Sequence, residues 1–304
     1  MERKFYAKIL LFGEYSLMTG SKALTLPFTR QGGWLMFPED TPGHKHSKAS
    51  NQALQSYLNF LVNARTPPVA FPDLLDLDRF AKDLEEGLFF HSDIPSGYGM
   101  GSSGALAAAV YHRYARERTP GTKALSPVQL QELKEIFAAM ESFFHGRSSG
   151  MDPLTSYMAM PLLVESMHGV RAVTLPSPDR NKGGAFFLKD TGSRRKTAPL
   201  VALFRRKYGS DNFKEMFHSA YIPLNDHCIT AFLSGETQLL EEHMRQLSGM
   251  QLRFFREMIP DHLVPEWEKG LASGAYSMKL CGAGGGGYLL AYSNRELGGD
   301  FIKI

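Results

Sequence analysis

Apolar residues recur at helical spacing in two stretches of the chain. In residues 51–62 they are Ala53, Leu54, Tyr57, Leu58 and Leu61. The second stretch begins at Ser126, a candidate N-cap residue, with Pro127 in the first helical position and Gln129 completing a capping box. The apolar stripe behind this cap comprises Leu130, Leu133, Ile136, Phe137, Met140 and Phe144. The pattern therefore predicts an amphipathic helix at both places.

Short apolar runs bounded by glycines or polar loops predict strands elsewhere. These runs are residues 8–11, 23–28, 34–37, 162–174 and 185–188. Gly32 and Gly33 lie between the second and third runs and predict a turn that joins antiparallel strands. From Asp226 to about Trp267 the spacing predicts two or three helices. The pattern alone therefore indicates a mixture of α and β structure.

Composition narrows the class of protein. The chain has 304 residues, of which 43% are hydrophobic and 21% charged, as expected for a globular protein of one or two domains. Its net charge of +3 is too small to indicate a nucleic-acid partner. The two cysteines, Cys228 and Cys281, exclude a disulfide scaffold and suit a reducing compartment. No apolar run approaches the roughly 20 residues of a membrane span, so we expect a cytoplasmic protein without a membrane partner.

Residues 94–104 form a loop of glycines and serines that leads into the alanine-rich segment 105–109. The start of a helix offers backbone N–H groups without intrahelical partners, and glycines allow close approach, so this junction is suited to phosphate. Gly99, Gly101 and Gly104 also fit the dinucleotide fingerprint, but the acidic residue about 20 positions downstream is missing. A phosphate-binding loop of the Gly-Lys-Ser/Thr type is absent too. A flexible connector remains the alternative from these residues alone.

Two carboxylates lie near the end of the second helix pattern, one within it and one in the loop that follows. Glu141 lies at the edge of the apolar stripe, where a carboxylate is costly unless a cation or hydrogen-bond donors meet it. A capping or partly exposed glutamate is the alternative. Asp152 ends a turn-rich loop that begins at Arg147. Both residues are therefore candidates for chemistry that needs an anionic oxygen.

Five glycines occupy residues 282–287 between two apolar runs. A hairpin needs only two turn residues, and ordering extra glycines is entropically unfavourable. A close approach of backbone to a ligand would explain the excess.

Together these segments resemble the GHMP kinases, a family that includes galactokinase, homoserine kinase, mevalonate kinase and phosphomevalonate kinase. Residues 95–105 are similar to the family's phosphate-binding motif P-x-G-x-G-L-G-S-S-A-A, with Met100 for Leu and Gly104 for Ala. Residues 8–15 followed by Gly20 resemble the mevalonate kinase motif K-x-x-L-x-G-E-H…G, with Tyr15 for His. Residues 141–152 resemble E-x-x-x-H-G-x-x-S-G-x-D, and 282–287 the third family motif.

The resemblance implies an α+β fold in two domains. Residues 1–160 would form an N-terminal domain like ribosomal protein S5 domain 2, and residues 161–304 a ferredoxin-like C-terminal domain. ATP and a small-molecule substrate would bind to this fold.

The resemblance also implies roles for individual residues. Asp152 would orient the acceptor hydroxyl or take its proton, with Lys8 as its partner. Glu141 and Ser103, or Ser102 in its place, would hold Mg²⁺. Glu14, Tyr15, Gly284 and Gly285 would lie near the substrate. The ATP phosphates would be bound by Pro95, Gly97, Gly99, Gly101, Ser102, Ser103 and Gly104.

The implied reaction is ATP-dependent phosphorylation of a hydroxyl group, with mevalonate converted to 5-phosphomevalonate. Phosphomevalonate kinase, another GHMP kinase acting on a sugar or homoserine, and a catalytically silent binding protein of the same fold are the alternatives. Phosphomevalonate carries a phosphate of its own, which would require further cations; the candidates are Arg30, Arg147 and the basic residues 194–196. A homodimer is possible.

Overall fold

The computed structural model describes residues 3–40, 47–64, 70–121, 125–165, 169–176, 183–194 and 197–304. Its strands are β1 (Phe5–Phe12), β2 (Ala23–Met36), β3 (Phe89–Ser92), β4 (Leu162–Val164), β5 (Val170–Ala172), β6 (Ala185–Asp190), β7 (Ser277–Leu280), β8 (Tyr288–Ser293) and β9 (Phe301–Lys303). Its α-helices are α1 (Ser47–Asn63), α2 (Phe71–Leu74), α3 (Leu77–Glu85), α4 (Ser102–Tyr114), α5 (Pro127–His145), α6 (Met151–Met158), α7 (Thr197–Tyr208), α8 (Asp211–Met216), α9 (Ile222–Ser234), α10 (Thr237–Phe254) and α11 (Val264–Ser273). Short 3₁₀ turns, including Ser16–Thr19 and Arg256–Met258, and a π-helical turn at Phe217–Tyr221 complete the described part of the chain.

The strands form two sheets. In the first, the order is β1-β2-β4-β5, and β3 also pairs with β2. The long β2 pairs antiparallel to β4 near its start, with Ala23 opposite Val164, and antiparallel to β3 near its end, with Met36 opposite Phe89. In the second sheet the order is β7-β8-β6-β9. All of its pairings are antiparallel.

The two long predicted helices are confirmed as α1 and α5. Ser126 caps α5 with its side chain, and Gln129 completes the predicted capping box. The predicted turn at Gly32 and Gly33 is wrong, because β2 continues through both residues. A Cβ at Gly33 would lie 2.2 Å from the Phe90 ring, and one at Gly32 would lie 2.6 Å from the Phe5 carbonyl oxygen. These glycines therefore allow close packing within a strand.

The chain forms two compact units whose segments alternate along the sequence. The first comprises Met1–Lys8, Leu26–Pro95 and Met100–Met160, and the second comprises Ile9–Thr25, Ser96–Gly99 and Pro161–Ile304. The division into domains at residues 160 and 161 stays a prediction. None of the helices in the described part of the chain has the length and apolar character of a membrane span.

The core of the first unit forms where α4, α5 and α6 pack together. The alanines of α4 are buried, so the helix can approach its neighbours closely. Tyr111, Phe137 and Tyr157 meet there, with ring centroids 5.2 to 5.4 Å apart. This packing fixes the start of α4 relative to the start of α6.

The core of the second unit lies between the second sheet and the helices α9, α10 and α11. Phe186 contacts Phe12 at 5.8 Å and Phe232 at 5.6 Å between ring centroids. The buried Trp267 donates its indole N–H to the Ser248 hydroxyl at 2.8 Å. This core supports the loop between β7 and β8, which carries the late glycines.

Candidate active site

Lys8 and Asp152 form an ion pair in the first unit. Lys8 lies on β1, and its backbone N–H donates to the Met100 carbonyl at 2.8 Å, which anchors the glycine loop to the strand. Its Nζ lies 3.0 Å from Asp152 Oδ1. The lysine side chain is 8% exposed and the aspartate side chain 31%, so the carboxylate remains reachable from solvent. The structure therefore brings together the two residues predicted to act in catalysis.

Asp152 lies in the first turn of α6, where the partial positive charge of a helix N-terminus favours an anion. Gly150 caps this helix with φ of 73°, and a Cβ there would lie 2.1 Å from the Lys134 carbonyl oxygen of α5. A Cβ at Gly104 would lie 2.7 Å from the Asp152 carbonyl carbon. Glycine at these two positions therefore lets α4 and α5 pack directly against the backbone that carries Asp152.

The glycine loop reaches α4 through residues with left-handed backbone. Gly97, Gly99 and Gly101 have φ of 80°, 71° and 75°. Gly101 is the N-cap of α4, and a Cβ there would lie 3.1 Å from Lys8 Cγ and 3.4 Å from Asp152 Oδ2. The N-terminal amides of this helix have no intrahelical acceptors. A helix start, the kind of structure that can bind an anion, therefore lies directly beside the pair of Lys8 and Asp152.

Glu141 on α5 is 3% exposed, and both of its carboxylate oxygens accept hydrogen bonds. Ser103 donates to Oε1 at 3.0 Å, and Ser148 donates to Oε2 at 2.5 Å. Burial disfavours the charged form, and the nearby Asp152 charge adds to it, so the pKa of Glu141 rises to about 7. The serine hydroxyls and Lys8 oppose this shift. The structure thus joins Ser103 with Glu141, as predicted, and adds Ser148, which the sequence motifs did not single out.

These oxygens fit a magnesium ion. Octahedral Mg²⁺ holds its ligands at about 2.0–2.1 Å, which separates adjacent ligand oxygens by about 2.9 Å. The separation of 3.0 Å between Ser103 Oγ and Glu141 Oε1 matches that value. Among the described residues no group of three or more His, Cys, Asp or Glu side chains could hold a metal. A magnesium ion here would therefore be shared with phosphate oxygens and water, as is usual for this ion.

Glu14, predicted near the substrate, lies in a buried network of the second unit. Its carboxylate accepts from Lys279 Nζ, and both side chains are 0% exposed. Lys279 also donates to the Leu280 carbonyl at 2.8 Å, and the Leu280 N–H donates to Gln251 at 2.7 Å. Gln251 in turn donates to the Tyr221 hydroxyl at 2.8 Å. A lysine within an apolar run before the glycines was the only sequence signal for this partner.

Tyr15 has φ of 60°, a left-handed conformation rare for a residue with a bulky side chain. Its hydroxyl donates to the Ala283 carbonyl at 2.6 Å. Its ring stacks on Phe204 at 4.6 Å and on Phe255 at 5.5 Å between centroids. Within the second unit, Tyr15 therefore holds the start of the late glycine loop. The substrate contacts of Glu14 and Tyr15 stay predictions.

The late glycine loop is packed against the backbone of its own unit. Gly285 donates its N–H to the Met258 carbonyl at 2.6 Å, and Gly287 donates to the Ser193 carbonyl at 2.7 Å. A Cβ at Gly284 would lie 2.3 Å from the Met258 carbonyl oxygen. Close approach of protein backbone therefore accounts for these glycines without a ligand. The substrate contacts of Gly284 and Gly285 stay predictions.

The tip of the first glycine loop lies in the second unit, next to the late glycines. A Cβ at Gly287 would lie 2.5 Å from the Tyr98 carbonyl oxygen, and the rings of Tyr98 and Tyr288 are 5.1 Å apart. A Cβ at Gly97 would lie 3.2 Å from Arg194 Cβ, so the stem of this exposed arginine runs along the loop tip. Residues 195–196 lie outside the described residues. Arg194 is therefore a cation at the predicted phosphate-binding loop.

Residues 74–159 match the family of GHMP kinases, N terminal domain. This segment contains the first glycine loop from Pro95 to Gly104, together with Glu141 and Asp152. Over this segment the resemblance to the GHMP kinases that the sequence motifs predicted is confirmed.

Named relatives extend the similarity over nearly the whole chain. The mevalonate kinase of Pyrococcus horikoshii is 25% identical over an alignment of 328 residues, gaps included. The alignment covers 98% of this chain and 90% of the relative. The crystal structure of L. major mevalonate kinase in complex with R-mevalonate has a TM-score of 0.63 at 17% identity, over 97% of this chain and 88% of that one. Streptococcus pneumoniae phosphomevalonate kinase in complex with phosphomevalonate and AMPPNP has a TM-score of 0.59 at 13% identity, over 97% and 93%. The predicted two-domain α+β fold of the GHMP kinases is confirmed.

Proposed function

We propose that this protein is an ATP-dependent kinase that phosphorylates the hydroxyl group of mevalonate. The observation that carries the proposal is the pair of Lys8 and Asp152 at the N-terminus of α4, with Nζ and Oδ1 3.0 Å apart. A phosphate-binding helix start, an accessible carboxylate and a lysine together supply what phosphoryl transfer requires, which is positioning and charge stabilisation.

Each residue has a distinct part in this proposal. The amides at the start of α4 bind phosphate oxygens of ATP, with the helix dipole opposing their charge. Asp152 accepts the hydrogen bond of the acceptor hydroxyl, which directs its oxygen at the phosphorus or removes its proton. Lys8 balances the carboxylate charge and stabilises the charge on the transferred group. Ser103 and Glu141 hold Mg²⁺, which when bound neutralises charge on the phosphates.

Mevalonate is favoured as the acceptor on two grounds. The spacing from Glu141 to Asp152 fits the mevalonate kinase motif. The curated relative from Pyrococcus horikoshii, which is similar to 98% of this chain, is named as a mevalonate kinase. Phosphomevalonate is the second candidate. Tyr15 replaces the histidine of the mevalonate kinase motif, and the exposed Arg194 beside Gly97 supplies a cation for a further phosphate.

A coupled assay of ADP release tests the proposal with mevalonate, phosphomevalonate, homoserine and galactose as separate acceptors. We expect release with mevalonate, and its loss in Lys8→Met, which keeps the volume of the side chain without the charge. Release with phosphomevalonate alone would transfer the assignment to the second candidate. ATP binding without release for any acceptor would favour a silent binding protein.

A further inference from the structure

The two oxygens of Glu141 have different neighbours. Oε1 faces the Ser103 hydroxyl, and Oε2 accepts from the Ser148 hydroxyl at 2.5 Å. Ser148 Oγ also accepts the Gly150 backbone N–H at 3.0 Å. A serine hydroxyl has a single proton, and its contact with the Gly150 amide uses a lone pair. The proton of Ser148 is therefore directed at Glu141, and the turn before α6 fixes its direction.

We propose that Ser148 is a positioning residue that occupies Oε2, so that Glu141 offers only Oε1 to the metal. The inference rests on the proposed function, in which Glu141 and Ser103 hold Mg²⁺. Oε1 is the oxygen that suits this ion, because its partner Ser103 Oγ is itself a proposed ligand and already lies at the separation of adjacent octahedral ligands. Hydrogen bonds of this kind, which orient a metal-binding carboxylate, contribute to the affinity for the metal.

The consequence is discrimination between divalent ions. Ca²⁺ is larger and accepts a carboxylate through both oxygens at 2.3–2.6 Å in a flexible geometry, whereas Mg²⁺ requires near-ideal octahedral ligands. With Oε2 engaged by Ser148, two-oxygen binding is disfavoured. Ser148 thus makes the site selective for Mg²⁺ over Ca²⁺. Removing the hydroxyl would free Oε2 and reduce that selectivity.

The test measures the affinity of the full-length protein for AMPPNP by calorimetry with excess Mg²⁺, with excess Ca²⁺ and with chelator. The ratio of the Kd with chelator to the Kd with each metal gives the contribution of that metal without any turnover. For Ser148→Ala we expect the Mg²⁺ ratio to fall about tenfold and the Ca²⁺ ratio to change about threefold or less. Ser148→Thr retains the hydroxyl and is expected to restore the wild-type ratios.

The matched control is Ser142→Ala on the same helix as Glu141, because its hydroxyl donates to the Ala139 carbonyl at 2.7 Å. It is expected to leave both ratios unchanged. If Ser148→Ala does not fold, Ser148→Cys fills the same space with a weak donor and must lower the Mg²⁺ ratio in the same direction. Wild-type ratios in folded Ser148→Ala, or in folded Ser148→Cys where the alanine variant does not fold, would overturn the inference. Nucleotide binding without any metal dependence in the wild type would instead overturn the magnesium site of the proposed function.

Discussion

Two lysine–carboxylate pairs, each within one compact unit, occupy different environments. The Asp152 side chain is 31% exposed beside Lys8, whereas Lys279 and Glu14 are both 0% exposed. The first pair lies at a helix N-terminus that can receive an anion, and the second is enclosed with Gln251 and Tyr221. The same type of ion pair is thus suited to a reaction where one partner is exposed to solvent, and to stabilising the fold where both partners are buried. The following experiments test that distinction.

The largest effect is expected from Asp152→Asn. The amide preserves the volume but cannot take a proton or balance Lys8, so turnover should fall by about 10²- to 10⁴-fold. The free energy of unfolding should change by about 1 kcal/mol or less, because the carboxylate is partly exposed. Steady-state kinetics and denaturant unfolding measure the two quantities. Near-normal turnover would remove Asp152 from the reaction.

Lys279→Met should act on stability. Removing the ammonium leaves a buried carboxylate where an ion pair stood, so the free energy of unfolding should fall by about 3–5 kcal/mol. Lys8→Met is the matched control in the first unit. It should lower the free energy of unfolding by about 1 kcal/mol or less, because the Asp152 carboxylate left behind is 31% exposed and stays solvated. The double variant Glu14→Gln, Lys279→Met should recover part of the loss. Equal decreases in the free energy of unfolding for Lys279→Met and Lys8→Met would contradict the proposed difference between the two pairs.

The stability of the metal-free protein should depend on Glu141. Burial, with the charge of Asp152, raises its pKa from the ordinary value of 4.5 to about 7 in the folded state. The folded protein therefore holds this proton more tightly than the unfolded chain, and stability should fall as the pH rises through that interval. Thermal unfolding across this pH range, with chelator present, measures the slope. Glu141→Gln should flatten it, and an unchanged slope would assign the effect to other groups.

The smallest effect is expected from Tyr15→Phe. Loss of the hydroxyl removes the hydrogen bond to Ala283, so the free energy of unfolding should fall by about 1 kcal/mol. Amide exchange in residues 282–287 should increase, which mass spectrometry can follow. Tyr208→Phe removes an exposed contact with His218 and serves as the control. Equal exchange in both variants would show that Tyr15 does not hold the loop.

Features set by neighbouring residues could be predicted from the sequence. The cap and apolar stripe of α5 are determined within the helix itself, and both are confirmed. The resemblance to the GHMP kinases and the fold it implies followed from motifs with fixed internal spacing. The pairing of Lys8 with Asp152 followed from the resemblance, since 144 positions separate them and no local pattern joins them.

Contacts that depend on the three-dimensional course of the backbone could not be predicted from the sequence. Lys279 meets Glu14 across a sequence separation of 265. Ser148 is only seven positions from Glu141, but its hydrogen bond depends on how the loop turns before α6. Gly32 and Gly33 have the sequence signature of a turn, and only the neighbouring Phe5 and Phe90 show why a strand needs them.

The alternation of the two units along the sequence limits how the gene can be divided. A fragment beginning at residue 161 would contain Lys279 but lack Ile9–Thr25, and with it the carboxylate of Glu14. Expressed alone, it would expose apolar surface that Phe12 covers and would have to enclose an unmatched ammonium. Dividing the chain at residue 161 therefore yields two fragments, and the C-terminal fragment lacks part of the second unit. A complete second unit therefore requires Ile9–Thr25 and Ser96–Gly99 in addition to Pro161–Ile304.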